Sequence, residues 1–242
     1  MDKDFNLRIH KALKGAPDMR KRENRTSDYT PPALGIARAR LVGYFEMGKH
    51  EEEYEGRTRD REKVDLVFEL SGPNHPLRVL QDGTLIPHRV TVQETLSLDG
   101  NADFFNLFAS MNVSGRNSHM AHLLGDAFIV EVFHRKSKDG KKVYAGLKGP
   151  NGYNVHGTTI RDPLSGKTVV VDVPLPITEI KYFIWNTADQ EMWDSIYIPG
   201  EWEARKSDKG EIFSPARCKN VLQEKIRKAK NWGQHPLASL VS

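Results

Sequence analysis

The chain has 242 residues, 36 Lys/Arg against 32 Asp/Glu for a formal net charge of +4, and one cysteine. The length suits one large domain or one domain with extensions, and a mean hydropathy of −0.58 sets a modest core under a charged surface. The lone Cys218 excludes an internal disulfide and a cysteine-rich zinc site, and the lack of any run of about 18 apolar residues argues against a membrane span.

Residues 1–32 hold no apolar stretch of signal-peptide kind and carry a basic excess, so they read as an N-terminal arm ending at Pro31-Pro32. Residues 36–47 read as a long strand. Alternation puts Ala37, Ala39, Leu41, Gly43 and Phe45 on one face and Arg38, Arg40, Val42, Tyr44 and Glu46 on the other. The next stretch, GKHEEEYEGRTRDREK at 48–63, carries eleven charges of both signs and reads as a loop. Residues 63–70 alternate again, with Val64, Leu66, Phe68 and Leu70 inward, until SGPNHP breaks the pattern. A third strand is expected over 88–98, with Val90, Val92, Leu96 and Leu98 inward. ADFFNLFASM then reads as a helix and SHMAHLL as a short second one. AFIVEVFHR (127–135) is the fourth strand, Asp139-Gly140 a hairpin turn, and VYAGL the fifth strand.

Beyond residue 150, TVVVDVPLP and EIKYFIW read as extra strands. A basic helix is expected over 215–230, with Ser214 as N-cap, Pro215 as first residue, and Val221, Leu222, Ile226 and Ala229 as its apolar stripe. Five strands with helical material between the third and fourth give the element order of the OB fold, a small barrel. The expected architecture is therefore mainly β: a five-stranded OB-fold barrel with short helices between strands 3 and 4, extra β hairpin material and a C-terminal basic helix. The expected divisions are an arm at 1–32, the barrel with its extension at 33–200, and a helix and tail at 201–242.

Binding a nucleic-acid strand without regard to sequence requires cations for phosphates and aromatic faces for bases. If the small apolar face of the first strand is inside, Arg38, Arg40 and Tyr44 point out. The fourth strand leaves Phe133 and Arg135 outside, and the fifth leaves Tyr144 beside Lys142. Arg89 and the turn residues Lys136, Lys138 and Lys141 extend the cationic surface. Arg57, Arg59 and Arg61 stand in the charged stretch, which in an OB barrel would flank the groove. An outward ring on a strand is also a natural surface for added chain to cover, and residues 151–200 could supply that cover.

ARLVGYFEMG with its charged stretch and REKVDLVFELSG, then TLSL leading into a helix, form an ordered series of cues. HMAHLLGDAFIVEVFHRKSKDGKKVYAGL, MWDSIYI and NVLQEKIRKAKNW continue it. Together, over about residues 31–233, they resemble phage-encoded single-stranded DNA-binding proteins. The resemblance implies an OB-fold protein that coats single-stranded DNA during viral replication or recombination in the host cytoplasm. No cofactor, metal, membrane or catalytic turnover is expected with that role. Replication or transcription proteins are candidate partners, as is a second copy of the chain. The ending NWGQHPLASLVS carries no acidic residue, unlike the acidic recruiting tails of many such proteins.

Other motifs carry less. PLSGKT at 163–168 ends like a phosphate-binding loop, but Arg161 stands where that motif needs glycine. His119 and His122 are spaced to share a face without a third ligand nearby. Asp172, Glu179 and Lys181 faintly suggest a metal-dependent nuclease, which is the alternative function from the enzyme class. A scaffold for other replication proteins is a third.

Overall fold

The fold is organised by a 20-residue strand, β1 (Gly35–Tyr54), which changes partners halfway along its length. The computed structural model describes residues 30–54, 56–80, 83–137, 139–140, 142–161, 164–206 and 212–240. The expected arm therefore lies outside the described residues up to position 29, as do Lys138 and Lys141. The unit described below is Pro31–Ser242.

On one edge, β1 pairs antiparallel with β2 (Arg57–Ser71) over nearly its whole length, and β2 pairs with β3 (His88–Thr95). On the other edge, the first half of β1 pairs with β4 (Ala127–Lys136). β4 in turn carries β5 (Val143–Gly146) at one end and β6 (Val155–Gly157) at the other. The second half of β1 takes β7 (Lys181–Phe183) as its parallel neighbour. The path runs β6-β4-β1-β2-β3, with β5 off β4 and β7 off β1. The protein is mainly β and mostly antiparallel. No ladder joins β3 to β5 among the described residues, and no closed barrel appears.

The switch of partners coincides with a β-bulge. Leu41 pairs with Phe68 and Gly43 with Val67, so Val42 is an extra residue and the side-chain alternation inverts beyond it. Gly43 meets a steric demand at this point, since a Cβ there would lie 2.6 Å from the Phe45 ring. Before the bulge Ala37, Ala39 and Leu41 enter the core; after it Tyr44 does, and Phe45 turns to the opposite side. The expectation that Tyr44 points outward is thereby overturned: its ring is 0% exposed.

Two cores result. The first joins those β1 residues to Leu66, Phe68 and Leu70 of β2, Val90 and Val92 of β3, and Phe128, Val130 and Val132 of β4. It is closed by α1 (Asp103–Met111), whose Phe104, Leu107 and Met111 are buried along one stripe. The second lies against the far side of β1 and unites Phe45, Met47, Phe183, Trp193, Ile226 and Leu237. Each fully buried large apolar side chain contributes about 1.5–3 kcal/mol relative to exposure. Central β1 and β2 are thus covered on both faces, and the C-terminal segment is part of the packing.

Three further expectations fail for physical reasons. The charged stretch 48–63 is not a loop: β1 runs on to Tyr54 and β2 starts at Arg57, joined by a tight turn with Gly56 at φ +71°. Opposite charges placed across the ladder, such as Glu52 against Arg59, favour the pairing. The C-terminal helix α2 is only Val221–Arg227, with Asn220 at its N-cap position. Ser214 lies in a short strand and Arg217–Cys218 pairs with Glu201–Trp202, so the helix cannot begin at Pro215. Leu98, expected inside, lies beyond the end of β3 and is 76% exposed. Among the described residues no helix is long and apolar enough to cross a membrane.

Candidate nucleic-acid interface

The β4–β5 hairpin is built from its turn outward. Ser137 and Lys142 bond twice across the turn: the Ser137 N–H donates to Lys142 O at 2.8 Å, and the Lys142 N–H donates to the Ser137 side-chain Oγ at 2.9 Å. Ser137 Oγ also bonds the Asp139 carboxylate, and Gly140 supplies the positive φ of +69° that the tight reversal requires. The resulting register places Arg135 directly opposite Tyr144 and Phe133 opposite Gly146. Because Phe128, Val130 and Val132 face the core, Phe133 and Arg135 take the outer face, and Tyr144 joins them there.

Tyr144 is 49% exposed and Arg135 and Lys142 are exposed. Arg135 donates one bond, from Nη2 to Lys148 O at 2.7 Å, which orients the guanidinium and leaves its remaining donors for a ligand. Phe133 departs from the expectation of an open ring. It is half-buried, and a Cβ at Gly149 would come within 2.5 Å of it, so one ring face is covered by the residues after β5. Lys136 is exposed but alternates to the opposite face from Arg135.

Below the hairpin, Lys148 bonds both Glu94 of β3, at 3.1 Å, and Asp103 at the start of α1. Burial pulls its pKa down, but those two carboxylates outweigh burial and hold the ammonium above the ordinary lysine value. Tyr153 donates to the same Glu94 at 2.6 Å. Burial, reinforced by Glu94, raises the phenol well above its usual range and keeps it neutral. Side chains thus bridge β3 to the chain that follows β5 where no backbone ladder does.

Arg57, Arg59 and Arg61 are all exposed on the distal half of β2. β3 ends opposite Lys63, so beyond that point β1 and β2 project as a two-stranded ribbon, roughly 20 Å long for its six β2 residues. Three of its acidic residues bond lysines of the protein itself. Lys230 bonds Glu51 and Asp60, each at 2.7 Å, and Lys63 bonds Glu52 at 2.6 Å. Asp60 first, then Glu51, raise the Lys230 pKa, and the bond from Lys63 lowers that of Glu52.

The remaining expected residues are elsewhere. Arg40 is overturned as a phosphate ligand: its guanidinium donates to Pro174 O at 2.6 Å, Gly125 O at 2.7 Å and Val173 O at 2.5 Å, fastening the 173–174 segment to β1. Residues from 151–200 supply this cover, as the sequence allowed. Tyr44 donates to Glu46 Oε1 at 2.9 Å inside the core. Arg38 is half-buried beside Gly72 and Ile129. Arg89 is exposed opposite Glu69, five residues and about 16 Å along β3 from the Glu94 bridge. The structure therefore unites Arg135, Lys142 and Tyr144 on one face and the three arginines on the ribbon, and separates Arg38, Arg40, Tyr44 and Arg89 from both.

Glu179 pairs with Lys181 at 3.2 Å, and no group of three or more His, Cys, Asp or Glu side chains is arranged to hold a metal among the described residues. Sequence reading missed a cleft formed by Glu46, His119, Trp185 and α1. Its residues come from distant segments, so no local pattern shows that they meet. The chain matches no protein-family model, no curated protein and no solved structure.

Proposed function

We propose that this protein binds single-stranded DNA without sequence preference, through cations that meet phosphates and a ring that stacks on a base. The observation that carries the reading is Arg135 directly opposite Tyr144 on the outer face of the β4–β5 hairpin, both exposed, with Lys142 beside them. An exposed guanidinium across from an exposed phenol, on a hairpin fixed by its own turn, meets the two requirements of a non-specific single-strand site. The projecting ribbon adds Arg57, Arg59 and Arg61 as a second basic surface.

The connectivity supports the same reading. A long first strand shared between the second and fourth, a fifth paired to the fourth, and a helix between the third and fourth are features an OB domain would also have. The Glu94–Lys148 and Glu94–Tyr153 bonds bring its third strand to the chain after its fifth, where a barrel would close. In this reading the protein coats exposed strands during viral replication or recombination and acts by occupancy, without turnover.

The test is a fluorescence-anisotropy titration of a labelled oligonucleotide of about 15 nucleotides, within the span one such domain covers. Wild type binds the single strand more tightly than duplex, and Arg135→Ala/Tyr144→Ala weakens it at least tenfold, as the loss of a stack worth roughly 1–3 kcal/mol requires. Equal binding by the double variant contradicts the proposal.

A further inference from the structure

A cleft of about 350 Å³ opens where β1, the residues after β3, α1 and the segment before the Met120–Leu123 turn meet. Its size lies near the lower end of the roughly 300–1,000 Å³ typical of ligand pockets. The floor is polar and buried. Glu46 is 7% exposed; its Oε1 accepts the Tyr44 hydroxyl and its Oε2 accepts the Trp185 amide at 2.8 Å. His119 stands beside it. Its Nδ1 accepts the Ala121 N–H at 3.2 Å, which places the proton of the neutral ring on Nε2. That Nε2 lies 3.6 Å from Glu46 Oε1, past hydrogen-bonding reach, and has no other partner among the described residues.

The cleft therefore holds a free N–H donor next to a carboxylate with lone pairs to spare, between walls that include Phe108 and Trp185. Ser118 and Asn186 line its exposed part, and their side chains have no hydrogen-bond partner among the described residues. A flat ligand with an N–H beside an acceptor fits that pair. Every DNA base carries such an edge: an amino group beside a ring nitrogen in adenine and cytosine, a ring N–H beside a carbonyl in guanine and thymine.

We infer that this cleft receives one unstacked base of the bound strand, its Watson–Crick edge meeting Glu46 and the His119 Nε2–H. The inference rests on the proposed single-strand binding and adds where a base is held by its edge as well as its face. Because all four bases share the required edge, the cleft is compatible with binding that ignores sequence. A chain of bonded neighbours links it to the first surface: Arg135 bonds the Lys148 carbonyl, the Lys148 ammonium bonds Asp103, and Asp103 begins the helix whose Phe108 lines the cleft.

The experiment compares oligothymidylate with the same oligomer built from N3-methylthymine, which keeps phosphates and stacking faces but removes the edge N–H. Wild type should bind the methylated strand about tenfold more weakly, the loss expected for a hydrogen bond to a charged group. Ser118→Trp, a substitution at an exposed position, should weaken oligothymidylate binding and abolish the difference between the strands. Equal affinity of wild type for both strands overturns the inference, as does a folded Ser118→Trp protein that binds as wild type does. If no strand binds at all, the function proposed above fails, and the cleft is read with free thymidine by NMR. A shift of the Trp185 indole signal with thymidine but not N3-methylthymidine then supports a base site, and no shift overturns it.

Discussion

Lys225 of α2 donates two hydrogen bonds to the Asp65 carboxylate of β2, at 2.7 Å and 2.6 Å, across 160 residues of chain. Asp65 lies buried on β2, between β1 and β3, and among the described residues has one further donor, Gln93 Nε2 at 3.2 Å. The pair pins the C-terminal helix to the sheet and neutralises a carboxylate that has little access to water.

Removing Lys225 should therefore cost more than losing a surface ion pair. Lys225→Met leaves Asp65 buried and short of a counter-charge, and is expected to destabilise the protein by about 3 kcal/mol. Adding Asp65→Asn should restore part of that loss, because the uncompensated charge is gone. Urea unfolding of the two variants measures both effects. Wild-type stability in Lys225→Met would show that the pair holds nothing.

Two tyrosines make opposite predictions. Tyr44→Ala empties a core position and should cost about 3–5 kcal/mol of stability. Tyr144→Ala, at an exposed strand position, should leave stability within about 0.5 kcal/mol and weaken single-strand binding roughly tenfold. Thermal unfolding and anisotropy titration on the same samples separate the roles.

This contrast also marks what the sequence could tell. The alternation of Leu66, Phe68 and Leu70 is uninterrupted, so β2 could be read directly. The β1 pattern breaks at an extra residue, Val42, and the assignments of the residues from Gly43 to Glu46 reverse before a second extra residue, Met47, shifts the register again. Gly43 was the visible hint, since glycine inside a strand often marks a bulge. The ribbon was hidden because charges on both its faces show no apolar period; it pairs through backbone and cross-strand charge, with no core of its own. Tyr144 and Arg135 were legible because the hairpin turn at 139–140 fixes their register locally. Arg40 was not, because its carbonyl partners at 173–174 lie more than 130 residues away.

Acidification should loosen the fold near His88. Burial first, then the neighbouring charges of Arg78 and His75, hold the His88 pKa below its ordinary 6.5. The unfolded chain then takes up a proton that the folded chain resists, so this contribution to stability is intact above about pH 6.5 and declines as the pH falls below it. Melting temperature should drop between pH 7.5 and 5.5, and His88→Asn should drop less. Parallel pH profiles for the two proteins would remove His88 from the explanation.

The most direct measurement is the salt dependence of single-strand affinity, because phosphate neutralisation by Arg135, Lys142 and the ribbon arginines must release counterions. Log K should fall linearly with log salt by about 0.7 for each phosphate met. A slope of roughly −2 or steeper follows if Arg135, Lys142 and one ribbon arginine each meet one, becoming shallower by about 0.7 in Arg135→Ala. A slope near zero in wild type, or one that Arg135→Ala leaves unchanged, contradicts the account.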